Sequence, residues 1–167
     1  MDFHGERRGN VTHQSTTDPE ARLAKKGAGK EAKLCYTESV LMENRNGIVI
    51  DLRVGQVTAR AEREQGLAML QELGGARRIT GAGDKGYDSA GFVASFRALN
   101  VTPHVAQNER RPGGSALDPR TTGWPGYALS QRVRKRVEEI FGWIKTVGNF
   151  RRTRYRGERT SFACPTG

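Results

Sequence analysis

Residues 130–145 read Ser-Gln-Arg-Val-Arg-Lys-Arg-Val-Glu-Glu-Ile-Phe-Gly-Trp-Ile-Lys, a basic segment with apolar residues every three or four positions. With Val137 set at 0° on a helix of about 100° per residue, Arg134 falls at roughly 60° and Lys145 at roughly 80°. Glu138 falls at roughly 100°, on the same edge, whereas Glu139 falls at roughly 200°, in solvent. The apolar residues form one face that can pack on a core, namely Val133, Val137, Ile140, Phe141 and Ile144.

An acid flanked by cations on such a helix has two interpretations. The segment can be an ordinary surface helix with ion pairs such as Arg134 to Glu138, each worth about 0.3–0.5 kcal/mol. It can also be one wall of a phosphate-handling site, because arginine and lysine bind phosphate oxygens while a carboxylate binds metal. The helix alone favours the first interpretation, so the rest of the chain has to decide.

Composition points to a polyanionic partner. The chain has 167 residues, enough for one domain with a core and too few for two, and only 35% of them are hydrophobic. The formal net charge is +10, and residues 132–159 supply +7 of it through ten basic and three acidic residues. Nucleic acid is favoured over a membrane surface because no long apolar face accompanies this cluster.

Several other classes of protein are disfavoured. Cys35 and Cys164 have no spacing typical of a zinc site or a disulfide framework, which favours a reducing, cytoplasmic compartment. The three histidines are scattered, so a histidine metal site is disfavoured. No apolar run approaches the roughly 20 residues of a membrane span, and the charged N-terminus is unlike a signal peptide.

Turn signals and periodicity predict the order of elements. Residues 1–30 are polar and are expected to be irregular. The Asn46-Gly47 pair between two strand-like runs predicts a hairpin, because both residues tolerate positive φ. The order is typical of an α/β chain with a mixed sheet. The predicted elements are strands at 32–43 and 48–54, a helix at 59–73, a strand at 78–82, a helix after Asp88-Ser89, a strand at 101–106 and the basic helix.

Asp84 lies where a predicted strand gives way to a loop, the usual place for ligands in an open α/β sheet. An aspartate before Lys85-Gly86 can equally be a turn former. Together with Glu138, however, it forms a pair of carboxylates lined by cations. Such a pair can hold divalent metal against a phosphodiester, where two cations roughly 3.5–4 Å apart stabilise an in-line displacement.

These residues resemble a known family. The pattern Arg134-x3-Glu138-x6-Lys145 is similar to the third block of the DDE transposases of bacterial insertion sequences, Tyr-x2-Arg-x3-Glu-x6-Lys. The run Asp84–Tyr87 resembles the block around their second catalytic aspartate. The likeness runs from about residue 2 to residue 157 and includes three further stretches, at 15–22, 41–47 and 102–108. It implies an RNase H-like fold and metal-dependent DNA hydrolysis followed by strand transfer.

The resemblance also implies roles for individual residues. Asp84 would be the second catalytic acid and Glu138 the third, both as ligands of Mg²⁺ or Mn²⁺. The implied partners are transposon ends and target DNA in a bacterial nucleoid, with a homodimer on DNA as one arrangement that the family allows. The DNA-binding residues would come from the basic segment: Arg132, Arg134, Lys135, Arg136, Lys145, Arg151, Arg152 and Arg154.

The chain departs from the family pattern in two places. Gln131 takes the place of the tyrosine, with Tyr127 one turn earlier. The family carries its first catalytic aspartate on a central strand, and no such strand pattern precedes the hairpin here. We therefore expect a partial RNase H-like domain at 31–157, an irregular lead-in at 1–30 and an irregular tail at 158–167. On this interpretation the chain is a truncated remnant, inactive alone, with unpaired strand edges.

Two alternatives stay open. The first is a basic nucleic-acid-binding module with no chemistry, in which the segment at 132–159 simply coats a phosphate backbone. The second is another RNase H-like nuclease, which the transposase-like stretches outside the site disfavour. Binding of divalent metal separates the module from the transposase, because only the latter needs its acids as ligands.

Overall fold

The computed structural model describes residues 2–3, 6–7, 9–25, 27–149 and 156–158. The chain is mixed α/β, as predicted, and no helix in these ranges is long and apolar enough to cross a bilayer. The strands are β1 (Asp2–Phe3), β2 (Glu6–Arg7), β3 (Arg22–Lys25), β4 (Ala32–Glu43), β5 (Ile48–Gln56), β6 (Ile79–Gly83) and β7 (Val101–Val105). The helices are α1 (Ala61–Leu73), α2 (Ala90–Ala98), α3 (Pro119–Thr122), α4 (Pro125–Val133) and α5 (Arg136–Thr146), with a 3₁₀ turn at Lys85–Tyr87.

The predicted hairpin is present as β4 and β5. Gly47 closes its turn by donating its amide to Glu43 O at 3.0 Å, with a φ of 76° that favours glycine. The Glu43 carboxylate accepts the amides of Arg45 and Asn46, each at 2.7 Å. The register shifts between Leu41 and Met42, which places one extra residue on β5 and bends the pair.

A short strand precedes the hairpin, which differs from the irregular lead-in expected over residues 1–30. In β3, Arg22 pairs with Cys35 and Lys25 with Ala32, antiparallel to β4. The side chain of Asn10 braces this strand from outside, because it bonds both the amide and the carbonyl of Leu23. Four residues are too few to show an alternating pattern, so the strand forms through its partner.

The strands form separate sheets where one mixed sheet was predicted. β4 pairs with β3 through residues 32–35 and with β5 through residues 36–43, all antiparallel, whereas β6 and β7 pair in parallel. Within the described ranges, no strand pairs with the second edge of β4 after Cys35 or with the second edge of β6. The expected loss of a central strand, with the unpaired edges that it would leave, stays a prediction.

The core lies between the parallel strands and the helices around them. Helix α2 packs on β7 with Phe92, Val93 and Phe96 buried, as its periodicity predicted, and Val105 is fully buried. Helix α1 contacts β4, β5 and α2, so its residues Leu67 and Leu70 carry the core toward the antiparallel sheet. Apolar contacts of α1 therefore join the antiparallel sheet of β3, β4 and β5 to the core around the parallel sheet of β6 and β7.

Asp88 shapes the long loop between β7 and α3. It is 3% exposed, and its carboxylate accepts the amides of Asn108 at 2.7 Å and Ala116 at 2.9 Å. Burial pushes the pKa of Asp88 upward, but these amides, the Ser115 hydroxyl and the charge of Arg111 outweigh burial and hold the pKa below its usual value. The sequence predicted Asp88 and the next residue together as a helix cap, whereas Asp88 instead anchors the loop.

Candidate active site

The carboxyl ends of β6 and β7 lie side by side and present Asp84 at one edge of the parallel sheet. Gly83 pairs with Val105 at the end of the ladder, and the amide of Ala106 donates to Gly83 O at 2.9 Å. Asp84 is the residue directly after β6. Its predicted position at a strand end is confirmed, and this edge is where ligands bind in α/β sheets.

The Asp84 carboxylate is both a turn former and an available ligand. Its Oδ1 accepts the amide of Gly86 at 2.7 Å and caps the 3₁₀ turn. The residue is exposed, and in the described part of the chain Oδ2 has no hydrogen bond. A β-carbon on Gly86 would lie 2.9 Å from Oδ1, so a larger residue there would displace this carboxylate. One oxygen is therefore held by the Gly86 amide, and among the described residues the other has no hydrogen-bond partner.

Three side chains of α4 fasten this helix to β7. Tyr127 donates its hydroxyl to Val105 O at 2.9 Å, and Gln131 donates its amide to His104 O at 2.5 Å. The Ser130 hydroxyl bonds His104 Nδ1 at 2.8 Å, and burial lowers the pKa of this histidine. Gln131, which takes the place of the tyrosine in the pattern, and Tyr127, one turn earlier, therefore contact neighbouring carbonyls of β7.

The basic segment is two helices with a turn between them, where one continuous helix was predicted. α4 ends at Val133 and α5 begins at Arg136. The amide of Val137 bonds Arg134 O and that of Glu138 bonds Lys135 O, an i to i+3 spacing tighter than that of an α-helix. The five residues of the predicted apolar face are all half-buried, but none of them belongs to the hydrophobic core cluster.

The turn changes the relation of Arg134 to Glu138. Angles counted along one α-helix do not extend across a tightened turn, and the described structure has no ion pair between these two side chains. Arg134 is half-buried and donates its Nε to Gln131 Oε1 at 3.0 Å. Glu138 and Glu139 lie in the first turn of α5, and both are exposed.

Glu38 is a charged residue beside this helix that the sequence analysis did not single out. It lies on β4 in the same alternation phase as Val40 and Met42, and its buried Oε1 has no hydrogen-bond partner among the described residues. Burial raises the pKa of Glu38, and the nearby charge of Lys145 opposes the shift. The Lys145 ammonium also lies 5.7 Å from the centre of the Phe141 ring. The sequence signal that could have identified Glu38 is an acid at a position where the strand alternation places apolar residues.

The remaining predicted DNA-binding residues fall into three groups. Arg132 and Lys135 are exposed. Arg136 instead supports the hairpin turn, because its Nη1 donates to Asn44 O and Arg45 O, each at 3.2 Å. The last group lies outside the described residues and comprises Arg151, Arg152 and Arg154.

The donor chemistry suits a hard divalent cation, although the site is open. Asp84 and Glu138 each offer an exposed carboxylate, the ligand type that Mg²⁺ and Mn²⁺ prefer. Among the described residues, no three His, Cys, Asp or Glu side chains lie close enough together to hold a metal ion. The structure thus offers two candidate ligands on separate elements.

Comparison with protein families identifies the family of this chain. The family model described as transposase DDE domain matches residues 10–163. No curated protein and no solved structure matches the chain.

Proposed function

This chain belongs to the transposase DDE domain family, and on that premise we propose that it binds DNA at the ends of a bacterial insertion sequence and carries part of the site for metal-dependent cleavage and strand transfer. The family match covers most of the chain, including Asp84 and Glu138. The formal charge of +10 also favours a DNA partner, because cationic side chains neutralise the phosphates of the DNA backbone. The cell compartment that follows from this proposal is the cytoplasm, at the nucleoid.

The observation that carries the proposal is the placement of an acid and an arginine at one sheet edge. Asp84 follows β6 at the point where β7 also ends, and α4 is fastened to the last two carbonyls of β7. Arg134 extends from the end of α4, held by Gln131. In the proposal the Asp84 carboxylate binds metal and the Arg134 guanidinium binds phosphate, the two tasks of a phosphoryl-transfer site.

In this proposal Asp84 and Glu138 hold Mg²⁺ or Mn²⁺. The metal, when bound, would activate the attacking oxygen and stabilise the leaving one. The protein residues have separate tasks. The Gly86 amide holds one oxygen of Asp84, the other oxygen would bind the metal, and Arg134 would hold a phosphate of the DNA backbone.

We further propose that this chain by itself binds DNA without cleaving it. The resemblance assigns three acids to the reaction, and Asp84 and Glu138 are the two that match the family pattern. In the described ranges no third His, Cys, Asp or Glu completes a metal-binding group with them. Two carboxylates on separate elements would bind metal weakly and leave one bridging position without a ligand.

The salt dependence of DNA binding tests the first part of the proposal. We expect the affinity for duplex DNA to fall steeply with salt. Arg132→Ala and Lys135→Ala should each make the negative slope of log K against log salt shallower by about 1. Lys33→Ala is the matched control, because Lys33 is an exposed cation on β4. Slopes unchanged in both test variants would contradict a DNA-binding role for this segment. Sizing the complex tests for two copies on one duplex.

Thermal unfolding with and without divalent metal tests the second part. Mg²⁺ or Mn²⁺ should raise the Tm of the wild-type chain, because a ligand that binds only the folded state stabilises it. Asp84→Asn and Glu138→Gln should each reduce this rise, and Glu139→Gln should not. A metal-dependent rise that survives both test variants would contradict these ligands, and no rise in any protein would favour a binding module without chemistry.

A further inference from the structure

Gln131 uses both ends of its side-chain amide to connect β7 to Arg134. Its Nε2 donates to His104 O at 2.5 Å, and its Oε1 accepts Arg134 Nε at 3.0 Å. The backbone carbonyl can only accept and the guanidinium can only donate, so this is the amide orientation in which both contacts form. A glutamine is therefore suited to this position in a way that an acid or an apolar residue is not.

The strand end of this connection is rigid. His104 is 5% exposed and Val105 is fully buried, and both lie in the parallel ladder with β6. Tyr127 and Ser130 bond the same two residues from the same face of α4. Gln131 is consequently fixed at its inner end, and the position of its carbonyl oxygen is set by the sheet.

At the arginine end of this connection, Nε of Arg134 is bound and the two Nη groups are the donors that remain for a ligand. With Nε bound to Gln131, the two Nη groups of Arg134 remain as the parallel donors that grip a phosphate bidentately. An arginine held at Nε loses less side-chain freedom when it binds than one that is free to rotate.

We infer that Gln131 is a positioning residue that holds the Arg134 guanidinium in the orientation that binds a DNA phosphate. The inference rests on the proposed DNA-binding function and assigns the role of orienting that site to the junction of α4 and β7. Gln131 itself need not touch DNA in this arrangement. Its effect on binding passes through Arg134 alone.

A double-mutant cycle on duplex DNA affinity tests this inference with the full chain. We expect Gln131→Leu to weaken binding about fivefold to tenfold and Arg134→Ala to weaken it at least as much. In the Arg134→Ala background, Gln131→Leu should have no further effect beyond about twofold. Gln71→Leu, at an exposed glutamine of α1, is the matched control and should bind as the wild type does.

The salt slope and a spectroscopic measurement complete the test. Gln131→Leu should make the negative slope of log K against log salt shallower by about 1, as the loss of one phosphate contact does. In the free protein, the Arg134 side-chain Nε–H signal, assigned with Arg134→Ala, should shift and exchange faster with water in Gln131→Leu. The shift should also appear in Gln131→Glu, which places a carboxylate against the His104 carbonyl.

The outcomes separate the inference from the proposed function. Equal losses from Gln131→Leu with and without Arg134 would overturn the inference alone, since they would mean that Gln131 acts on folding or binds DNA itself. An unchanged Nε–H signal would overturn it as well. A wild-type chain that binds no duplex DNA at low salt would overturn the proposed function and this inference with it.

Discussion

Replacing Asp88 should destabilise the protein strongly, although the residue lies outside the candidate active site. Its two carboxylate oxygens accept one backbone amide each, from Asn108 and Ala116, at the two ends of a long loop. The Asp88 backbone carbonyl also accepts Arg111 Nη1 at 3.0 Å. The loop therefore folds around the buried Asp88 carboxylate. In the described structure no other side chain accepts these two amides.

The magnitude follows from the number of bonds. A hydrogen bond to a charged group contributes about 1.5–3 kcal/mol, and a buried donor left without a partner costs about 1–3 kcal/mol. Asp88→Asn keeps one acceptor oxygen and turns an NH₂ group toward the other amide, so we expect a loss of about 2–4 kcal/mol. Asp88→Ala removes both acceptors, for about 3–5 kcal/mol, a large part of the roughly 5–15 kcal/mol that stabilises a typical domain.

Urea unfolding at pH 7, followed by far-ultraviolet circular dichroism, measures this loss. Asp118→Asn is the matched control, because Asp118 caps α3 with its side chain and asparagine caps equally well. We expect the control to cost less than about 1 kcal/mol. A free energy of unfolding for Asp88→Asn within about 0.5 kcal/mol of the control would refute the reasoning.

The pH dependence gives an independent check on the same residue. The folded-state pKa of Asp88 is below the unfolded value of 3.8, so below pH 3.8 the unfolded chain binds a proton that the folded chain does not. The stabilisation is complete above pH 3.8 and is lost as the pH falls through the folded pKa. The difference in stability between wild type and Asp88→Asn should accordingly narrow in strong acid.

Three further predictions concern the candidate site and its surroundings. Gly86→Ala should displace the Asp84 carboxylate, because a β-carbon would lie 2.9 Å from its Oδ1, and should lower the free energy of unfolding by about 1 kcal/mol and any metal-dependent rise in Tm. His104→Asn should flatten the loss of stability between pH 7 and 5, since burial lowers the pKa of this histidine and the unfolded chain binds the proton first; an unchanged profile would contradict this. Glu38→Gln should raise the Tm by about 2–4 °C, because it removes a charge whose buried Oε1 has no partner in the described part of the chain, whereas Glu139→Gln, at an exposed residue, should leave the Tm unchanged.

Local signals predicted the elements whose formation depends on nearby residues. The hairpin followed from Asn46-Gly47, and helix α2 followed from Phe92, Val93 and Phe96 with a capping serine before them. β3 was missed because four residues carry no period, and the break between the last two helices was missed because Arg134 and Lys135 are ordinary helix formers. β3 exists through its pairing with β4, which its own four residues do not encode.

The sequence by itself determined the chemistry of this protein: its basic charge, its mixed α/β order, Asp84 at the end of a strand and the arginine, glutamate and lysine spacing of a transposase DDE domain. Only the tertiary structure decided which partners each polar side chain bonds. It gave Arg136 to the hairpin turn, Asp88 to a loop and Gln131 to the support of Arg134. The physical reason is that a side chain's hydrogen-bond partners depend on which elements pack together, whereas its charge and its position on a helix or strand are local properties.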